Sequence, residues 1–476
     1  MDLVPEKLQM QHLAWRAGFG ERYPVIADWI RRRRKQIVSK ILIGPAKDES
    51  TPIKVIDQSD LPENKKDEET RKILRQMNRQ GIKDLNVSWV DEMVKSEHPL
   101  REKMALFWHG HFACRTQNVL FTQQLLDVIR TNALGNFGEL LTAVSRSPAM
   151  LQFLNNQQNK KAHPNENFAR EVMELFTMGR GNYTEQDIKE AARAFTGWSF
   201  DETGQFVFRE KVHDNGVKNI LGKKGNFTGD DVLKILLEKK ATAHYITTKI
   251  YKFFVDEQAA DEEKINTLAA KFYDSDYDIK ELMRSIFMAD WFYDSKLIGS
   301  HIKSPVELLV GFRRTIPIDL EKEEVMISFQ QVLGQTLFYP PNVAGWPGGR
   351  DWIDSSSLMY RMQLPGMILY EKEFNIRPKE ITPEMGMGSY TVTQQFNEAA
   401  RRQYAKKIKG VIHWDDYLQD YKDIKRDELA GAIAGTLVQH TVNQQIIENY
   451  ADVTSREQFI KTVTIAVMST PEYQLC

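Results

Sequence analysis

Carboxylates, imidazoles and a guanidinium crowd into short segments of this 476-residue chain, and each crowd could do a particular chemistry. The first is "HPNENFAREVMELFTMGRG", from His163 to Gly181. Pro164 and Asn165 make a good helix start, and Gly179 with Gly181 a good stop. Helical spacing puts Phe168, Val172, Leu175 and Phe176 on one apolar stripe. Asn167, Glu171, Glu174 and Met178 share the adjacent face, and Glu166, Arg170, Met173 and Thr177 the next. Glu171 and Glu174, three apart, could ligate a metal or share a proton with one pKa raised, which suits general acid–base work. Glu166 and Arg170 can pair at i,i+4. The same acids could instead face solvent or be pinned by arginines to orient helices, and on the residues alone that structural reading weighs more.

Two further segments carry histidines. In "FWHGHFACR", His109 and His111 would share a face on a strand but stand roughly 200° apart on a helix. Met104, Trp108, His111 and Arg115 favour the helix, so the two rings bind one metal only if Gly110 breaks it. In "KVHDNGVKNILG", His213 and Asp214 put an imidazole and a carboxylate on a loop beside Asn215-Gly216. The alternative there is a turn that uses Asp214 for backbone bonds. "FYPPNVAGWPGGRDW", containing Trp346, specifies a rigid, aromatic-walled loop that serves as a pocket wall or as packing.

The elements that must hold these groups are mostly helical. Residues 5–17 and 24–42 read as amphipathic helices, 44–70 as a polar loop, and helical pattern resumes from Glu69 to Lys95. Pro99 marks the first turn of the next helix. Thr184-x-x-Asp187 and Thr228-x-x-Asp231 resemble capping boxes, and Asp276 reads as a helix cap rather than a calcium ligand. "FDETGQFVFREKVHDNGVKNILG" alternates and has turn signals at Thr203-Gly204 and Asn215-Gly216, which predicts a hairpin. The expected fold is therefore mainly α: a large irregular multi-helix domain with a small β-hairpin insertion near residues 199–222. Residues 1–95 are expected to wrap the core, 96–362 to form the central unit and 363–476 a C-terminal helical layer, or all to form one domain.

Composition sets outer bounds. The chain is 42% hydrophobic and 27% charged, an ordinary globular balance. Lys+Arg 64 against Asp+Glu 65 leaves no global basic footprint for nucleic acid. The basic run Arg31 to Lys35 reads as a solvated helix face or end. Two cysteines cannot build a disulfide framework, no apolar run is long enough for a membrane helix, and the N-terminal residues do not form a signal peptide. A cytoplasmic location is expected on that ground, with a periplasmic one, by co-export with a partner, as the alternative. There is no nucleophile elbow, Walker loop, GxGxxG after a strand, CxxC or HExxH. No nucleotide or flavin is expected, and a divalent metal stays open.

"HLAWRAGFG", "FWHGHFAC", "NENFAREVMELFTMGRGNYTEQDIKEAARAFTGW", "HDNGVKNILG", "SPVELLVGFRR" and "PPNVAGWPGGRDW" occur in that order. Together they resemble the bacterial family called domain of unknown function 1800, from about His12 to the final "STPEYQLC", in the form without a signal peptide typical of the Bacteroidetes. The resemblance implies no established activity. It does imply a neighbouring partner of the family called domain of unknown function 1501, which is phosphatase- or sulfatase-like. It also marks Arg16, His109, His111, Asn165, Glu166, Asn167, Arg170, Glu171, Glu174, Thr196, Trp198, His213, Asp214, Trp346 and Arg361 as motif positions, mostly polar. Two functions follow as expectations. One is a hydrolase or lyase of a glycan or other polar envelope substrate. In it Glu171 or Glu174 is acid or base, His111 and His213 carry protons or ligate, Arg170 clamps an anion, and Asp214 joins them as a catalytic candidate. Asn165, Glu166, Asn167, Trp198 and Trp346 then bind substrate, and His109, His111, Glu171, Glu174 and His213 are the candidate metal ligands. The other is a non-catalytic partner or export companion of the phosphatase-like protein.

Overall fold

The computed structural model describes residues 4–43, 52–62, 67–369 and 410–476. The chain opens with α1 (Glu6–Arg16), α2 (Tyr23–Ile30) and α3 (Arg34–Ile43). The helix expected over 24–42 is thus two. After α2 the N–H groups of Arg31 and Arg32 bond three residues back, to Asp28 at 3.1 Å and Trp29 at 2.9 Å, which tightens and ends the helix. Arg34 then starts the next one and reaches Asp290 at 2.8 Å. The polar stretch 44–70 lies partly outside the described residues. Its described part holds a 3-10 turn, Gln58–Asp60, and the Asp67 cap of α4 (Glu68–Lys95).

Next come α5 (Pro99–His111), α6 (Val119–Asn132), α7 (Phe137–Arg146), α8 (Pro148–Phe153), α9 (Glu166–Met173) and α10 (Glu185–Ala194). They are followed by α11 (Gly229–Leu237), α12 (Lys240–Phe254), α13 (Glu262–Asp274), α14 (Ile279–Phe287), α15 (Pro305–Thr315), α16 (Val325–Leu333) and α17 (Ser355–Leu369). Beyond residue 409 come α18 (Trp414–Gln419), α19 (Leu429–Leu437), α20 (Gln444–Tyr450) and α21 (Arg456–Met468). The fold is mainly α. Both anticipated capping boxes form, at Thr184 with Asp187 and at Thr228 with Asp231. Asp276 is not a cap: it is left-handed (φ 53°), as is Tyr277, and Asp278 caps α14 by accepting from Glu281 N at 3.0 Å. The two left-handed residues swing the chain so that Tyr277 O meets Phe137 N at 3.0 Å.

Three antiparallel two-stranded sheets occur among the described residues. β1 (Trp198–Phe200) pairs with β2 (Phe206–Phe208), the turn expected at Gly204. β3 (Lys218–Ile220) pairs with β4 (Lys223–Gly225), so a second hairpin follows the first. Its turn is Leu221-Gly222, both at positive φ as a tight two-residue hairpin needs. It is not Asn215-Gly216, where Asp214 Oδ1 takes the Gly216 N–H at 2.8 Å in a local turn. β5 (Ile318–Leu320) pairs with β6 (Gly410–Ile412), across a separation that no local pattern signals.

Two hydrophobic clusters hold the molecule. One draws on residues from Met10 to Phe338, the other on residues from Leu308 to Tyr473. They share α15, which sends Val306 and Val310 into the first and Leu308, Leu309 and Phe312 into the second. A helix buried on both sides must place every polar side chain deliberately. The same holds for α5, nearly all of which is buried. These two helices carry the ionic residues on which the candidate site rests.

Candidate functional site

Helix α5 presents Arg101, Glu102 and Lys103 in a row, all buried. Consecutive helical residues point about 100° apart, and here Arg101 and Glu102 join one network while Lys103 enters another. Glu102 accepts from Arg130 Nη2 and Trp89 Nε1, both at 3.0 Å, and from Arg101 Nε at 2.9 Å, a closed structural network. Lys103 goes the other way. Its ammonium donates to Trp15 O at 3.2 Å and Gly18 O at 2.9 Å, at the carbonyl end of α1, where a cation is favoured. That explains the short motif "HLAWRAGFG": it is a carbonyl cup for a buried lysine.

Lys103 also ion-pairs with Glu307 on α15. Glu307 is fully buried and closes a capping box with Ser304, taking the Ser304 N–H at 2.7 Å. Its Oε2 lies 3.1 Å from Nε2 of His301. The opposite ring nitrogen of His301, Nδ1, ion-pairs with Glu257. The order is Lys103, Glu307, His301, Glu257: cation, anion, imidazole, anion. Burial works against the charged ring, but Glu307, Glu257 and Cys476 outweigh it, so His301 is pushed up to about 9 and is an imidazolium at neutral pH. Burial likewise opposes the Glu307 carboxylate, yet Lys103 and His301 hold it well below the usual carboxylate range.

This chain ends in a cleft of about 700 Å³. Glu257, His301 and Glu307 line it on one part, and Phe107, His111 and Gly110 of α5 on another. The loop 344–352 supplies Trp346, Arg350 and Trp352. That loop lies directly on α5: a side chain at Gly345 (φ 87°) would strike Gly110 O at 2.3 Å, so glycine is required there by contact and by conformation. Lys249 and Lys252 line the cleft from α12.

The sequence-predicted residues divide between the cleft and its surroundings. His111 and Trp346 line it. His111 donates from Nε2 to Phe176 O at 3.2 Å, while Nδ1 is buried without a partner. Burial, with Lys249 nearby, holds its pKa well below the usual histidine value, so the ring is neutral. Its carbonyl partner belongs to a π turn, Glu174–Met178, that continues α9. There Thr177 Oγ1 bonds Val172 O at 2.6 Å, five residues back. His109 turns elsewhere: its Nε2 accepts from Phe338 N at 3.1 Å and its ring is tilted against Trp346. Burial alone brings His109 down to about 3. The two histidines diverge as helical geometry requires.

Glu171 and Glu174 do not line this cleft. Glu174 ion-pairs with Arg180 and accepts from Tyr183 Oη at 2.5 Å. Glu171 is half-buried, and burial together with Glu174 pushes its carboxyl up. Arg170, expected as an anion clamp, already holds Glu185 at 2.7 Å and Glu166 at 3.3 Å. Asn165 caps α9 by accepting from Asn167 N, and the Asn167 amide donates to Leu154 O at 3.3 Å. His213 is not displayed on its loop but buried, with Nδ1 2.8 Å from Thr196 O. Asp214 is bound by Arg193 at 2.7 Å, and Trp198 is packed among Phe168, Phe195 and Phe206. These groups lie on α9 and its π turn, on β1 and on the loop before β3, and each is held by neighbours other than the cleft residues. Among the described residues no three His, Cys, Asp or Glu side chains group so as to hold a metal ion.

Glu257, His301, Glu307, Lys103, Lys249, Lys252 and Arg350 were not singled out from sequence. One usable signal was there: Ser304-Pro305-Val306-Glu307 is a capping-box pattern in an apolar run, with a histidine three residues before it.

Among the described residues, no helix is long and apolar enough to cross a membrane. A family model described as "Protein of unknown function (DUF1800)" matches residues 12–475. No curated protein and no solved structure matches.

Proposed function

We propose that this chain, which belongs to the family described as protein of unknown function DUF1800, is an enzyme: a hydrolase or lyase that transfers protons to and from a polar, glycan-like substrate held in the cleft beside Glu257. One observation carries the reading. Glu257 lines the cleft while its carboxylate rests on His301, and His301 is backed by Glu307 and Lys103. A buried file of alternating charge is costly to assemble and offers little net stability over apolar packing. Where such a file ends at a cavity, it fits a group that must exchange a proton at a fixed position. Phe107, Phe253, Trp346 and Trp352 supply flat apolar walls, the surface against which a sugar ring packs.

In this reading Glu257 gives or takes the proton, with His301 as its immediate partner. Glu307 and Lys103 are positioning residues that keep His301 charged and oriented. Glu257→Gln keeps shape and removes the charge. It is expected to lower product release from glycans by 100-fold or more, the usual worth of a positioned acid or base. Circular dichroism should show the fold kept. A folded Glu257→Gln protein with wild-type turnover would overturn the assignment.

A further inference from the structure

The cleft carries an imbalance of charge that the proton-transfer reading does not require. Lys249, Lys252 and Arg350 line it, and none of the three has an acidic partner among the described residues. Lys249 is half-buried, with its ammonium over the Tyr245 ring at 5.5 Å. Arg350 donates to the side-chain amide oxygen of Gln258 at 3.4 Å. By contrast, the other ionic groups around the cleft are matched: Lys103 with Glu307, and His301 with both glutamates. Two lysines three apart on one helix face repel each other, and burial with that repulsion keeps Lys249 below the usual lysine value. Unmatched cations facing a cavity are relieved by an anion that enters it.

The carboxylates of the cleft narrow the chemistry. Glycoside hydrolysis of the usual kind needs two acting carboxyl groups across the bond. Here Glu307 is fully buried and shared by Lys103 and His301, which leaves Glu257 as the acting one. Glu257, held against His301, is the group placed both to take a proton and to give it back. Cations that neutralise a carboxylate make the hydrogen on the adjacent carbon removable, because the charge that develops as it leaves is stabilised.

We propose that the cleft binds a uronate-containing glycan and cleaves it by elimination, with Lys249, Lys252 and Arg350 holding the sugar carboxylate. This rests on the proton-transfer reading above and specifies its substrate and bond. The Glu257 carboxylate takes the proton from the carbon next to the sugar carboxylate. That C–H electron pair becomes a carbon–carbon double bond as the β C–O bond breaks. The departing oxygen receives the proton back from Glu257, whose charge His301 balances. The products are an alcohol end and an unsaturated uronate, Glu257 ends as it began, and no oxidant or water is consumed.

The test uses the full chain with polygalacturonate, alginate and glycosaminoglycan uronates, their carboxyl-reduced neutral forms, and a sulfated polymer without uronate. Ultraviolet absorbance reads the unsaturated product and reducing ends read any cleavage. Absorbance should rise with a uronate polymer and not with its reduced form or the sulfated polymer. Lys252→Gln, an exposed change that leaves the fold intact, should raise KM for that polymer at least tenfold. Glu257→Gln should abolish the absorbance, with circular dichroism to check folding. Reducing ends without absorbance would overturn elimination and leave the proton-transfer reading standing. Equal cleavage of neutral and acidic forms would overturn the carboxylate subsite. No product from any polymer would overturn both.

Discussion

His301 and Glu307 meet at 3.1 Å beneath the cleft, between Nε2 and a fully buried carboxylate. One comes from the segment before α15 and the other from its first turn, so the Ser304 cap that starts the helix also fixes their spacing. The capping residue and the ionic file are a single device. Breaking either end should disturb both.

Glu307→Gln tests the file as a structural element. Lys103 would keep two carbonyls but lose the carboxylate of Glu307. Removing one member of a buried pair costs about 3–5 kcal/mol. Urea or guanidinium denaturation should show a fall of that order. A fall below about 1 kcal/mol would mean the charges are not as buried as the geometry has them.

The pH dependence follows from His301. Its folded pKa of about 9 stands above the ordinary 6.5. The stability it contributes is therefore fully present below about 6.5 and lost as pH rises through about 9. Glu307, Glu257, Arg16 and Cys476 face the same cluster. Lys303, brought down to about 7 by burial, works in the opposite sense over this window. The comparison is thus between wild type and His301→Gln. The difference in unfolding free energy should shrink from pH 6.5 to pH 9. Ring-nitrogen NMR should show one histidine titrating near 9 and His109 still neutral at pH 5, since burial brings it down to about 3. All histidines titrating between about 6 and 7 would contradict both statements.

His109 bears on the loop behind Trp346. It accepts the N–H of Phe338, a non-glycine residue at φ 67°. His109→Leu leaves that buried N–H unpaired, at a cost of about 1–3 kcal/mol. Thermal unfolding should report it. An unchanged midpoint would show that the contact carries no stability.

Glu171 has the reverse expectation. Burial and Glu174 push its carboxyl above the ordinary 4.5, so the folded state binds its proton more tightly than the unfolded one. The stability this gives is lost as pH rises through the folded value. Glu171→Gln should be neutral or stabilising at pH 7 and leave turnover unchanged. Marked loss of turnover with the fold intact would place the chemistry on α9 instead.

Much of the framework was legible before the structure. The mainly α class, α4, the start of α5 at Pro99 and both threonine capping boxes follow from periodicity and local hydrogen bonding, which depend on neighbours in sequence. The split at Arg31–Arg33 and the second hairpin at Leu221-Gly222 were missed. There the deciding features are the tight three-residue hydrogen bonds that close α2 at Arg31 and Arg32 and backbone geometry at a leucine, which no propensity advertises. The Glu171–Glu174 face is legible because its charge is dense within one helix, and it lies outside the cleft. Lys103, Glu257, His301 and Glu307 come from three separated segments, each unremarkable alone. Only tertiary packing brings them to one cleft, and only burial makes their charges matter.

The most direct measurement sets Glu257→Gln beside Glu171→Gln and follows product release from a panel of acidic and neutral glycans. The account expects the wild type and Glu171→Gln to release product at similar rates and folded Glu257→Gln to lose 100-fold or more. Wild-type rates from Glu257→Gln, or no release by the wild type from any glycan, would contradict it.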